Sequence, residues 1–233
     1  MARANGQHQQ PSRRLAVDVD WGSLGQQLCE ERADRRINPV DAAQTTPRNT
    51  SDAEALAQWC LRAERIAIDA PCGWAPAGQR SRLCERQLLA AGIHCFATPT
   101  RDAALASRSN FYGWMLRGEA LYAALQGHGV SIAREVQALQ ARCCFESFPH
   151  GITIALSPQL EVKASLKLEQ RSALLERFGV VRSGLSSIDW IDAAVCALFA
   201  ELLGEGSPVD VYGEPEAGLL VLPVGARHTA GSG

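Results

Sequence analysis

Polar and apolar positions first alternate over Arg14–Trp21, where Leu15 and Val17 are interleaved with Ala16 and Asp18. This predicts a strand, closed by a turn over Gly22–Gly25, with a second strand beginning near Gln26–Cys29. Ile37–Val40 offers a short edge strand. Ser51 with Glu54 three residues on forms a capping box and opens a helix to about Arg65, with Leu56, Trp59 and Cys60 on its apolar stripe. The run Ile66-Ala67-Ile68 then ends in Asp69 and is stopped by Pro71, which lacks the N–H of a ladder, and by Gly73. Helices are predicted at Arg80–Ala91, closed by Gly92, and at about Tyr112–Leu125, with a short strand at His94–Ala97 between them. Cys143–His150 reads as a strand that carries Glu146 and finishes at Pro149. Leu166–Phe178 is an amphipathic helix, and Ser187 caps the most apolar helix of the chain, Ile188–Leu203. Two short strands, Val209–Tyr212 and Leu219–Leu222, flank the turn Gly213–Gly218.

Strands interleaved with helices give an α/β class, and residues 75–130 form a mainly helical insertion between two core strands. At 233 residues the chain fits one domain over 14–223, with a disordered polar lead-in at 1–13 and a flexible tail at 224–233. The lead-in has arginines but no apolar h-region, against a secretory signal, and there is no apolar run of 18 residues to span a membrane. The eight cysteines form no Cys-x-x-Cys pair, so small buried hydrophobes in a reduced cytoplasm explain them better than zinc or disulfides. A formal net charge of -2 offers no broad basic surface and weighs against tight, sequence-independent binding of long duplexes, though not against a local patch.

The chemistry lies in carboxylates. Asp69 ends a probable central strand, where crevices of α/β sheets open, although an Asp there also serves a turn by accepting its N–H groups. Asp189 and Asp192 share one side of a helix start. The helix dipole explains Asp189, but Asp192 borders a deeply apolar run and needs a partner or an ion. Asp18, Asp69, Glu146 and the Asp189/Asp192 pair follow a layout of strand, strand end, strand and helix start. If those elements pack together the carboxylates converge, and Mg²⁺ or Mn²⁺ offsets their repulsion. One or two such ions suit phosphodiester hydrolysis.

The segments Leu15-Ala-Val-Asp18, Ile66-Ala-Ile-Asp-Ala-Pro-Cys-Gly73, Arg82-Leu-Cys-Glu-Arg86, Phe145-Glu-Ser-Phe-Pro-His150, Ile188-Asp-Trp-Ile-Asp-Ala-Ala194 and Tyr212-Gly-Glu-Pro-Glu-Ala-Gly218 follow one another along the chain. On these the chain resembles a family of predicted nucleases with a ribonuclease H-like fold, domain of unknown function family 429, over about residues 14–223. The resemblance implies a ribonuclease H-like mixed sheet flanked by helices. It also implies divalent metal held by Asp18, Asp69 and Asp192, with Asp189 or Glu146 as a fourth ligand. The chain departs from the family's Gly-rich turn after the first strand, carrying Asp20 and Trp21 instead.

Around these acids, Arg82 and Arg86 share a helix face and are candidates to hold a phosphate, or else to pair with Glu85 or solvent; Arg80, Arg108, Arg117 and Arg171 are weaker candidates. Trp74 is a candidate to stack on a base, and His150 to carry a proton. The expected function is a metal-dependent nuclease or phosphodiesterase on structured or single-stranded nucleic acid. A non-catalytic binding module of the same fold is the alternative, ahead of a nucleotide-binding phosphotransferase, whose Gly-rich phosphate loops are lacking.

Overall fold

A computed structural model describes residues 14–19, 26–31, 52–180, 185 and 187–225, the first two segments as backbone. The lead-in, Asp20, the expected edge strand at Ile37–Val40 and most of the C-terminal tail lie outside the described residues. Among the described residues the sheet has seven strands: β1 Arg14–Val19, β2 Gln26–Glu31, β3 Arg65–Asp69, β4 Ser131–Ile132, β5 Cys143–Glu146, β6 Val209–Glu214 and β7 Gly218–Pro223. Their order is β2-β1-β3-β5-β7-β6, with β4 also paired to β5. The outer pairs β1–β2 and β6–β7 are antiparallel, while β1, β3, β5 and β7 run parallel. This is a mixed α/β sheet flanked by helices.

Central parallel strands are covered on both faces, which is why they read as continuous apolar runs. In β3, Ile66 and Ile68 enter one core and Ala67 the other. The first face is closed by two helices, α1 Ala53–Cys60 and α4 Gly113–Gly127, through Leu56, Cys60, Leu121 and Leu125. The opposite face is filled chiefly by α5 Pro149–Leu156, α6 Lys167–Arg177 and α7 Ile188–Gly204, where Phe145 meets Phe199 edge-on at 5.9 Å. Since α7 has apolar residues all round, it lies between the sheet and α5 and α6 rather than on the surface. Between β3 and β5 come α2 Leu83–Ala90, α3 Arg101–Leu105 and α4, so the 75–130 stretch is mainly helical. Because α4 closes one face of the sheet, that stretch is part of the core.

Several boundaries differ from the sequence reading. Asp52, not Ser51, caps α1, accepting from the Glu54 N–H at 2.9 Å. His94–Ala97 is irregular chain, not a strand. The strand read through to His150 ends at Glu146; Pro149 then starts α5, because its missing N–H costs nothing in a first helical turn.

The loop after β3 passes so close to the β6–β7 hairpin that a Cβ on Gly73 would stand 2.3 Å from the Ala217 carbonyl oxygen. Gly73→Ala is expected to cost about 1–3 kcal/mol through overpacking. Urea denaturation reads this directly, and an unchanged midpoint would contradict the contact.

Candidate active site

Asp69 is the last residue of β3, and three groups fix the chain that follows it. The Tyr122 hydroxyl donates to the Ala70 carbonyl at 3.2 Å. The Cys72 N–H donates to Glu146 Oε2 at 2.8 Å. Arg134 donates to the Cys72 carbonyl at 3.1 Å and to that of Pro215 at 3.0 Å. Asp69 is thus held at the carboxyl end of the parallel strands. Its Cα partner on β1 is Asp18, so the two acids stand in register on adjacent strands.

Asp69 opens into a cavity of about 440 Å³. Its lining includes Asp189 and Asp192 at the start of α7, Lys167 and Arg171 of α6, the loop residues His94, Cys95 and Phe96, Trp114 of α4, and Phe148 and His150 at the β5–α5 junction. Arg171 Nη1 donates to Asp192 Oδ1, and both side chains are buried. Burial first, and then the neighbouring Asp192 charge, push the Asp69 carboxyl up to about 8, against the opposing pull of Arg171. Burial also raises Asp192, with Arg171 acting the other way.

Arg82 and Glu146 also line the cavity, but as a buried pair. Arg82 Nη1 and Nη2 donate to Glu146 Oε2 and Oε1 at 2.7 and 2.6 Å, and Arg82 Nε donates to Glu85 Oε1 at 2.9 Å. Glu85 Oε2 accepts from the N–H groups of Arg82 and Thr98, at 2.9 and 3.0 Å. Arg82 is 1% exposed, so its fork is committed to protein carboxylates and not open to a phosphate. Glu146, expected as a catalytic acid or fourth metal ligand, is spoken for by Arg82 and the Cys72 N–H. Both roles are corrected by one cause: a bidentate ion pair satisfies the two groups together.

Two more expectations change. Trp74 is turned to Glu119, its Nε1 donating to Oε1 at 2.8 Å, and does not line the cavity. Arg86 is exposed and donates to Gln79 and to the Ser81 carbonyl, also away from the cavity. Asp69, Asp189, Asp192 and His150 all line the cavity. Lys167, Phe96 and Phe148 were missed. The one signal for Lys167 was its spacing of four from Arg171, which puts both on one helix face.

The cavity lining holds five carboxylates against the three cations Arg82, Lys167 and Arg171, leaving two formal negative charges with both histidines neutral. Hard oxygen donors with that balance suit Mg²⁺ or Mn²⁺. Among the described residues, however, no three His, Cys, Asp or Glu side chains are grouped closely enough to hold an ion.

The sequence places this cavity in a family. The family described as "Protein of unknown function (DUF429)" matches residues 10–217. The chain belongs to it. No curated protein and no solved structure matches the chain. The DUF429 match spans β1, the Asp69 loop, the Arg82–Glu146 network and all of α7. Among the described residues, no helix of this DUF429 protein is long and apolar enough to cross a membrane.

Proposed function

We propose that this protein is a divalent-metal-dependent phosphodiester hydrolase acting on nucleic acid, built on a ribonuclease H-like core. The observation that carries the reading is the register of Asp18 and Asp69 on adjacent parallel strands, with Asp192 of α7 bordering the same cavity. Asp18, Asp69 and Asp192 would hold Mg²⁺ or Mn²⁺, with Asp189 alongside. The ion supplies charge stabilisation at the phosphate and an activated water. The protein's own part is positioning. The pinned 70–73 loop fixes Asp69, and Arg171 orients Asp192. Burial and the Asp192 charge hold the Asp69 carboxyl above its ordinary range, and a bound cation would oppose that shift. His150 lies within the cavity as a proton carrier. Six of the seven cysteines whose side chains are described are buried, as small hydrophobes in a reduced, cytoplasmic setting would be.

The Arg171–Asp192 pair favours one second reading, a binding module in which Arg171 has taken the place of a cation at Asp192. A panel of single-stranded, duplex, hybrid and branched substrates with Mg²⁺ or Mn²⁺ separates the two. The hydrolase reading expects cleavage of a single-stranded or structured substrate, reduced at least about 100-fold in both Asp69→Asn and Asp192→Asn. Cleavage that survives both substitutions, or none of any substrate, rejects it.

A further inference from the structure

We propose that this site takes one divalent ion rather than two, with the Arg171 guanidinium as its second cation. This rests on the hydrolase reading above and fixes the cofactor count of the same site.

Charge balance comes first. Arg82 is committed to Glu146 and Glu85, so the cavity lining leaves Asp69, Asp189 and Asp192 with Lys167 and Arg171. The hydrolase reading adds Asp18, in register with Asp69. Four carboxylates and two cations carry two formal negative charges, which one Mg²⁺ or Mn²⁺ neutralises. A second ion would turn that balance to two positive charges, and uncompensated charge in a recessed cavity is costly.

The donors agree. Two catalytic ions stand about 3.5–4 Å apart and need oxygens on both. Among the described residues, no three His, Cys, Asp or Glu side chains are grouped closely enough for even one ion. With Asp18 as the one acid that the reading adds, the donors extend to a single ion before they extend to a pair. Asp192 already gives its Oδ1 to Arg171 Nη1. Arg171 is 6% and Asp192 7% exposed, so neither can exchange the other for bulk water. Breaking such a pair strands buried charge, which makes the guanidinium a fixture of the site. Among the described residues this is the one hydrogen bond that Arg171 makes, and the rest of its fork remains to donate. The guanidinium thus supplies, as a side chain, the positive charge that a second metal supplies in a two-ion site.

Mn²⁺ alone is the probe, counted by calorimetry and by electron paramagnetic resonance. The native protein should bind one ion per chain, and Asp69→Asn should bind it far more weakly. Arg171→Gln, which removes the charge and keeps a donor, should take a second ion. Arg171→Lys, which keeps the charge, should stay at one. Two ions on the native protein, or a single ion on a folded Arg171→Gln protein, overturns the proposal and leaves the hydrolase reading standing. So does a second ion on Arg171→Lys. If Arg171→Gln does not fold, the native spectrum at saturation decides: an isolated Mn²⁺ is expected, and a spin-coupled pair overturns the proposal. One ion on the native protein and two on Arg171→Gln, with no substrate cleaved, would keep the count and reject hydrolysis. No ion on the native protein, or binding unchanged in Asp69→Asn, overturns both.

Discussion

Arg82→Met should destabilise the protein by about 3–5 kcal/mol, because it leaves Glu146 and Glu85 buried without their common partner. Both acids are at most 6% exposed, and two carboxylates sharing one guanidinium cannot turn to water for compensation. The loss should persist in high salt, since a network shielded from solvent is barely screened. Adding Glu85→Gln and Glu146→Gln to Arg82→Met should recover much of the loss by removing the stranded charges. Urea denaturation of the single and triple variants measures this. A single variant within about 1 kcal/mol of the native protein would mean that Arg82 is free to serve a ligand after all.

Asp69→Asn should make the metal-free protein more stable at neutral pH, an unusual outcome for a substitution at a buried site. A carboxyl held at about 8 in the folded protein and near 3.9 in the unfolded chain binds its proton more tightly when folded. The resulting cost is absent below about pH 4, grows as pH rises, and is complete above about pH 8. At pH 7 it amounts to about 2–3 kcal/mol once screening by cavity water is allowed for. The charges that face Asp69 are Asp192 and Glu146, which raise it, and Arg171 and Lys167, which lower it. Asparagine removes the cost, so the variant should gain stability at pH 7–8 and match the native protein near pH 4. Some slope should survive from Asp192, which is shifted in the same direction. Mn²⁺ or Mg²⁺ should raise the melting temperature of the native protein and do so less in the variant. Denaturation midpoints from pH 4.5 to 9 decide the matter: a variant that loses stability at pH 8 would refute the raised carboxyl.

The strand ending at Asp69 was legible because Pro71 and Gly73 punctuate an apolar run, and α7 because its apolar surface has no polar side. What the sequence concealed was partnership. Arg82 and Glu146 are 64 residues apart, so nothing local shows that they neutralise one another. Glu85, three residues from Arg82, was the visible part of that network. Helix α5 was hidden by Ile152-Thr153-Ile154, whose β-branched side chains favour strands until tertiary packing overrides them. Phe96 lay in a stretch read as a strand, whereas it stands on irregular chain at the cavity. Asp69, Asp189 and Asp192 were legible as acids, and they line one cavity. Which stay open to a ligand was decided by basic side chains from distant elements.

The loop that carries Asp69 has a consequence for the order of assembly. Its anchors come late in the chain: Glu146 stands 74 residues beyond Cys72, and Leu219, whose carbonyl accepts from the Cys72 thiol, stands 147 beyond. A ribosome therefore releases β3 long before the β6–β7 hairpin can lock the turn behind it. Such long-range closure is slow relative to local helix formation. Until the hairpin docks, the turn that follows Asp69 lacks the late anchors that fix it in the folded protein.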